Sequence, residues 1–146
     1  MNILIRPMEE KDVESAGSLE SAVFSMPWKS EDFLEMIQRP YAYYFVAEDA
    51  GEIVGICGLI DAAGEGEIVN VVTAPSKRRR GIARSLLKRA LDQCSQLEIK
   101  DVTLEVRTGN EPAIRLYESF GFKGEGIRPN FYEKPKEDAL IMWKRS

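Results

Sequence analysis

Apolar residues recur along this chain at two spacings, and the switches between them mark out its secondary structure. Residues 2–6 form a short apolar strand pattern stopped by Pro7. Val13, Ala16, Leu19 and Val23 then fall three and four residues apart, the spacing of one helix face. Phe24-Ser25-Met26-Pro27-Trp28 breaks that helix, and Ser30 is the expected N-cap of a shorter one burying Phe33, Leu34 and Ile37 before Pro40. Residues 41–48 and 52–60 are β-rich runs joined through Asp49-Ala50-Gly51, which predicts a hairpin. Ala62-Ala63-Gly64-Glu65-Gly66 supplies another turn, and the β-branched run 67–73 follows, ended by Ala74-Pro75. From Ile82, the apolar residues Leu86, Leu87, Ala90, Leu91 and Cys94 predict a long amphipathic helix. A strand at 102–106 comes next, then Asn110 as N-cap with Pro112 in the first turn of a helix closed by Gly121, then strands at 122–127 and 139–143. Such alternation predicts an α/β fold: a mixed, mostly antiparallel central sheet of about seven strands flanked on both faces by about four helices. No repeat or linker-like stretch divides the chain, so residues 1–146 are read as one domain.

Composition narrows the chemistry. With 44% apolar and 30% charged residues, the chain sits with soluble globular proteins. Its first residues meet Pro7, Glu9 and Glu10 before an apolar stretch reaches signal-peptide length, so a cytoplasmic location is expected, with no membrane partner. Cys57 and Cys94 lie in apolar patterns and are expected to be buried free thiols. The absence of histidine excludes His-based triads and imidazole metal ligation, leaving a carboxylate, tyrosine, lysine or water as general base; no metal is implied. A net charge of −4 argues against nucleic-acid binding through overall charge, yet seven of the twenty cationic residues fall within the thirteen positions 77–89. A local anion site is therefore expected there.

Arg78-Arg79-Arg80-Gly81-Ile82-Ala83 lies between a predicted strand and the start of a predicted helix. A helix N-terminus leaves backbone N–H groups unpaired and carries partial positive charge, which suits a phosphate. Gly81 can aim several N–H groups into one concavity, and Ala83 leaves room for a diphosphate. A basic run taken alone is as readily a solvated turn. Dinucleotide and Walker fingerprints are absent.

This loop resembles the Arg/Gln-x-x-Gly-x-Gly/Ala pyrophosphate loop of the GNAT acetyltransferases and follows the strand expected to precede it. The resemblance implies the GNAT fold and acetyl-CoA as cosubstrate, with Val71, Val72 and Thr73 offering backbone hydrogen bonds to the pantetheine arm. Arg79, Arg80, Gly81, Ile82, Ala83 and Arg84 would then wrap the diphosphate, and Asn110 would touch the CoA arm as well as cap its helix. Two further stretches, Leu104-Glu105-Val106-Arg107-Thr108-Gly109-Asn110 and Ala113-Ile114-Arg115-Leu116-Tyr117-Glu118-Ser119-Phe120-Gly121-Phe122, look like the RimI branch of that family. These are protein N-terminal alanine acetyltransferases acting on a small-subunit ribosomal protein. Met26-Pro27-Trp28 and Arg128-Pro129-Asn130-Phe131-Tyr132 add to the likeness, which spans nearly the whole chain. Gly109-Asn110 stands where that branch has Ser-Asn, and Phe131-Tyr132 where it has two tyrosines.

Acetyl transfer to an amine needs a base for the amine and a proton for the departing thiolate. Glu105, between apolar Leu104 and Val106, is the candidate base, and the resemblance points it at the amine through a water. Tyr117 is the candidate acid, since a phenol with a reference pKa of about 10 stays protonated at neutral pH. Trp28, Arg128 and Tyr132 are the candidate substrate contacts, on two walls of a groove for an N-terminal peptide. Tyr41, Tyr43 and Tyr44 are read as sheet packing. A GNAT acting on a small-molecule amine, a non-catalytic CoA-binding regulatory module and an anion-binding interaction domain are the alternatives; Glu105 and Tyr117 together weigh against the regulatory module.

Overall fold

The computed structural model describes residues 2–78 and 81–145. Its elements follow the predicted order: β1 (Ile3–Pro7), α1 (Val13–Val23), α2 (Ser30–Ile37), β2 (Ala42–Asp49), β3 (Glu52–Ala62), β4 (Glu65–Thr73), α3 (Ile82–Gln96), β5 (Val102–Arg107), α4 (Glu111–Ser119), β6 (Lys123–Glu133) and β7 (Lys136–Lys144). The seven strands form one sheet in the order β1-β2-β3-β4-β5-β7-β6. Every neighbouring pair is antiparallel except β4 and β5, which α3 connects.

Alternation along the strands feeds two cores. On β2, Tyr44 and Val46 face Ala16 and Leu19 of α1 and Phe33 of α2, while Phe45 and Ala47 face Ile82, Leu86, Leu87 and Ala90 of α3. Both faces of the central strands are thus covered, and their near-continuous apolar sequence follows from that. Cys57 and Cys94 are buried free thiols in the α3-side core.

The turns show why the strands start and stop where they do. Ala50 and Gly51 have φ of 51° and 84°, and Ala63 and Gly64 have 54° and 91°; two left-handed residues in a two-residue loop match the twist of the flanking strands. Several boundaries differ from expectation: Pro7, expected to stop the first strand, is its last residue and pairs with Phe45, and the β3–β4 hairpin runs on to Ala62 and Glu65. Ser30 is the first residue of α2 rather than its cap: Asp32 Oδ2 accepts the Lys29 N–H at 2.9 Å and starts the helix at Lys29. The strands expected at 122–127 and 139–143 extend to a turn at Lys134 and Pro135, with Pro129 and Asn130 in an irregularity between the Arg128↔Ala139 and Tyr132↔Glu137 pairs. A short 3₁₀ turn, Glu10–Asp12, also precedes α1.

One ion cluster ties the first strand to this frame. The Arg6 guanidinium grips both oxygens of buried Asp12, at 2.7 and 2.9 Å, and reaches Glu48 at 2.8 Å. Burial pushes the Asp12 carboxyl upward, but the Arg6 fork and the Glu9 N–H outweigh it and hold the carboxyl below its ordinary value of 3.8. A carboxyl with a depressed folded-state pKa contributes its full stabilisation above the unfolded value and loses it as pH falls through the folded one. Asp12→Asn is therefore expected to lower the urea unfolding midpoint at pH 7, with the gap from the parent closing as both proteins are taken below about pH 4. Denaturant curves at several pH values check this; a gap independent of pH would leave Asp12 a packing role alone.

Candidate active site

β4 and β5 pair only through Gly66↔Val102 and Glu67↔Thr103, and beyond Glu67 the two strands part. The cause is a β-bulge: between Val69 and Val72 strand β4 takes three steps while β3 takes two between Gly58 and Ile56. Asn70 sits in the bulge with φ 53°, a left-handed angle that asparagine tolerates better than the valines beside it. A cleft of about 690 Å³ opens where the strands diverge. Its floor includes Ile68, Val69, Asn70 and Val71 of β4 and Leu104, Glu105, Val106 and Arg107 of β5. Phe24, Ser25, Met26 and Trp28 line one wall, and Phe131, Tyr132, Glu133 and Lys134 line the other.

Glu105 and Tyr117, far apart in sequence, both line this cleft. The Glu105 side chain is 19% exposed. Its Oε2 is fully buried and accepts no hydrogen bond, although Arg128 Nη1 stands 3.4 Å away. That contact is Coulombic, outside hydrogen-bonding geometry, so a buried anionic oxygen retains unused acceptor capacity at the centre of the cleft. Glu67 lies nearby, its carboxyl raised by burial and by Glu105 and lowered by Arg128. Tyr117 packs edge-on against Phe122. Its phenol is pushed well above the ordinary tyrosine range, first by burial and then by Cys57 and Tyr132, so it is neutral and able to donate.

The other expected residues are distributed as follows. Trp28 packs against Phe33 and Tyr44 with ring centroids 5.2 and 6.2 Å apart. Tyr132 is held in place by Arg107, whose guanidinium lies 4.3 Å from its ring centre while donating to Pro135 O at 2.8 Å. Arg128 is exposed, stacked on Phe131 and paired with Glu105. Val71 lines the cleft, whereas the Val72 side chain is buried in the α1–α2 core. Asn110 lines the cleft and also caps α4, its Oδ1 accepting the Ala113 N–H at 3.3 Å.

Gly81, Ile82, Ala83 and Arg84 lie outside that lining, at the start of α3. Gly81 has φ 76°, an angle that disfavours side chains, and no atom stands within 4 Å of where a Cβ would be. The first helical bond at this end is Ser85 N–H to Gly81 O at 3.0 Å, which leaves the amides of Ile82, Ala83 and Arg84 without intrahelical acceptors. The Ile82 side chain is core. Arg84 turns toward α4, donating to Ser119 Oγ at 3.3 Å and lying over Phe120. The cationic run is likewise divided: Lys77 pairs with Asp49, Lys88 with Asp92, and Arg89 covers Phe45. Arg79 and Arg80 fall outside the described residues.

Two cleft residues, Glu20 and Asn70, were not anticipated. Glu20 is 3% exposed. It accepts the Trp28 N–H at 3.1 Å and Asn70 Nδ2 at 3.4 Å, while Asn70 Oδ1 accepts the Tyr44 hydroxyl at 2.8 Å. Burial raises the Glu20 carboxyl, and its two donors lower it less. Tyr44 therefore carries a polar link as well as packing the sheet. A signal was present: Glu20 continues the 13, 16, 17 helix stripe, where a charge is out of place, and Asn70 interrupts a β-branched run. Gly109 stands in place of the expected serine, and its N–H donates to Glu137 Oε2 at 2.7 Å.

Comparison with known proteins places this geometry. The family described as Acetyltransferase (GNAT) family matches residues 13–122. The chain belongs to the GNAT acetyltransferase family. Members use acetyl-CoA, and the sheet parted at β4 and β5 is the GNAT fold. The putative [ribosomal protein bS18]-alanine N-acetyltransferase of Bacillus subtilis is 35% identical over 140 residues, covering 95% of this chain and 93% of the relative. The crystal structure of the ribosomal-protein-S18-alanine N-acetyltransferase from Escherichia coli superposes with a TM-score of 0.90 at 29% identity, over 99% of this chain and 94% of that one. Ard1 from Thermoplasma volcanium gives the same TM-score at 26% identity, over 99% and 98%. This GNAT chain is thus an N-acetyltransferase whose relatives include RimI-type enzymes.

Proposed function

We propose that residues 1–146 form one cytoplasmic acetyltransferase domain that moves the acetyl group of acetyl-CoA onto the α-amino group of a protein N-terminus, an alanine of a small-subunit ribosomal protein. The observation that carries this reading is the buried Oε2 of Glu105, which accepts no hydrogen bond and has only the Arg128 cation 3.4 Å away, in the same cleft as the neutral phenol of Tyr117. The likeness to the putative bS18-alanine N-acetyltransferase of Bacillus subtilis and the S18-alanine N-acetyltransferase of Escherichia coli supports the choice of acceptor.

The donor would lie across the gap between β4 and β5, its pantetheine arm on the backbone of Val71, Val72 and Thr73 and on Asn110. Its diphosphate would rest on the first-turn amides of Ile82, Ala83 and Arg84, which have no intrahelical acceptor, with Gly81 giving the turn and Arg79, Arg80 and Arg84 adding charge. The left-handed Gly81 at the head of a fifteen-residue helix fits such a group. Acetyl-CoA supplies an activated carbonyl on a sulfur leaving group. Glu105 takes a proton from the amine through a water as the C–N bond forms, and Tyr117 gives one to the thiolate as the C–S bond breaks. Arg128, exposed and only Coulombically paired, is placed to give way to an acceptor's ammonium group.

A free α-amino group has a reference pKa of about 7.7–8.0 against about 10.4 for lysine, so at neutral pH far more of it is already nucleophilic. A single carboxylate base suits that acceptor. Trp28 and Tyr132, both held by neighbouring rings or cations, would narrow the groove to a small first residue. A small-molecule amine remains the second reading, since the family's fold is shared by enzymes acting on such acceptors.

Two expected outcomes test this. Glu105→Gln and Tyr117→Phe should each lower kcat by about 10² to 10⁴ with acetyl-CoA affinity unchanged, while Gly81→Asp should weaken acetyl-CoA binding at least about tenfold by calorimetry. Parent-like turnover in both of the first two variants would remove their assigned roles. For the acceptor, mass analysis should find acetylation of a peptide beginning with alanine and little of the same peptide with its N-terminus blocked and an internal lysine free. Efficient labelling of that lysine, or a preference for a polyamine over every peptide, would overturn the acceptor while leaving the family intact.

A further inference from the structure

The loop between α1 and α2 forms one wall of the cleft, yet it has no regular structure of its own. Both of its ends are fastened to one residue. The Glu20 backbone carbonyl accepts the Phe24 N–H at 2.8 Å, and the Glu20 carboxylate accepts the Trp28 N–H at 3.1 Å. The same carboxylate takes a hydrogen bond from Asn70, at the bulge that parts β4 from β5, and Asn70 in turn is fixed by the Tyr44 hydroxyl. The far side of the loop is joined to the opposite wall by the Ser25 hydroxyl, which donates to Lys134 O.

A carboxylate buried in this way is not required by the helix. Val13, Ala16 and Leu19 already anchor α1 to the sheet, and an apolar residue at position 20 would pack there without desolvating a charge. The side-chain partners of Glu20 are instead cleft-lining residues, on the wall and on the floor. The carboxylate therefore links wall to floor in one register.

We propose that Glu20 is a positioning residue for the acceptor: through Trp28 N–H and Asn70 it holds the 24–28 wall at a fixed distance from the bulge beside Glu105. The proposal rests on the acceptor reading above, and concerns where the acceptor chain lies rather than the proton transfer. A wall displaced by about 1 Å costs reactivity by misplacing the amine, without touching the base or the donor site.

A polarity swap tests it. In Glu20→Gln the new amide faces the Asn70 amide, donor to donor, unless Asn70 turns over and deprives the Tyr44 hydroxyl of its acceptor. In Asn70→Asp two carboxylates face each other. In the double variant E20Q/N70D every bond returns: Trp28 N–H to the Gln oxygen, the Gln amide to the Asp, and the Tyr44 hydroxyl to the Asp. Aspartate also tolerates the left-handed angle at position 70. With a peptide beginning with alanine as acceptor, N70D should raise acceptor KM about tenfold and E20Q several-fold, and the double variant should return to within about threefold of the parent. KM for acetyl-CoA should stay constant throughout. A double variant no better than the worse single one, or a loss confined to kcat, overturns the proposal.

A second measurement reads the tether without catalysis. Deuterium exchange of the Trp28 amide should be at least about tenfold faster in Glu20→Ala, with amides of β2 and β3 unchanged; an unchanged Trp28 rate also overturns the proposal. Should no peptide be acetylated by the parent, the acceptor reading fails, while the exchange rates still decide whether Glu20 holds the wall.

Discussion

The separation of β4 from β5 after two residue pairs is the constraint on which the rest of the site depends. Backbone groups inside a sheet are ordinarily satisfied by the neighbouring strand, and here one edge of each strand is left facing a cleft. The bulge at Asn70 makes this tolerable, because it turns β4 away while preserving its pairing with β3. α3, bridging the same two strands, begins at the left-handed Gly81 with amides that have no intrahelical acceptor. A parallel pair with a helix crossover creates a crevice at the strand ends, the place where open α/β sheets hold ligands. The GNAT family uses one such parting inside an otherwise antiparallel sheet.

Within the cleft, environment separates two carboxylates of the same chemical type. Glu20 is buried with two donors and is committed to structure. Glu105 has a buried oxygen with no hydrogen-bond donor and one exposed cation, Arg128, 3.4 Å away. Only the second is free to engage an incoming group. Tyr117 and Tyr44 divide similarly, the former facing the cleft, the latter bonded to Asn70.

Much of this was legible from spacing alone. The order of elements follows from the change of period at each turn, and Asn110, Pro112 and Gly121 mark α4 because their backbone preferences act locally. The missed features are those in which a competing partner, near or distant in the chain, decides. Ser30 has the right chemistry for a cap, but Asp32 two residues on fixes the helix start. The last two strands exceed their predicted length because a wide irregularity such as that at Pro129 and Asn130 interrupts the strand pattern while the hairpin continues. The basic run suggested one anion site, whereas Asp49, Asp92, Phe45 and Phe120 each draw a cation elsewhere, and those partners come from other parts of the chain or from the far side of a helix turn. Glu20 and Asn70 were visible as pattern violations, yet nothing in sequence joins positions 20, 28, 44 and 70.

The two cysteines bear on what this enzyme can withstand. Burial pushes the thiols of Cys57 and Cys94 up to about 12 and about 11. At neutral pH both therefore stay protonated thiols. Every turnover of an acetyl-CoA-dependent transferase releases a thiol, and oxidation of that product yields disulfides that exchange with reactive protein thiolates. The two buried thiols offer them almost no nucleophile, so disulfide exchange and alkylation reach Cys57 and Cys94 only after the fold opens, whereas the exposed thioether of Met26 stays within reach of an oxidant.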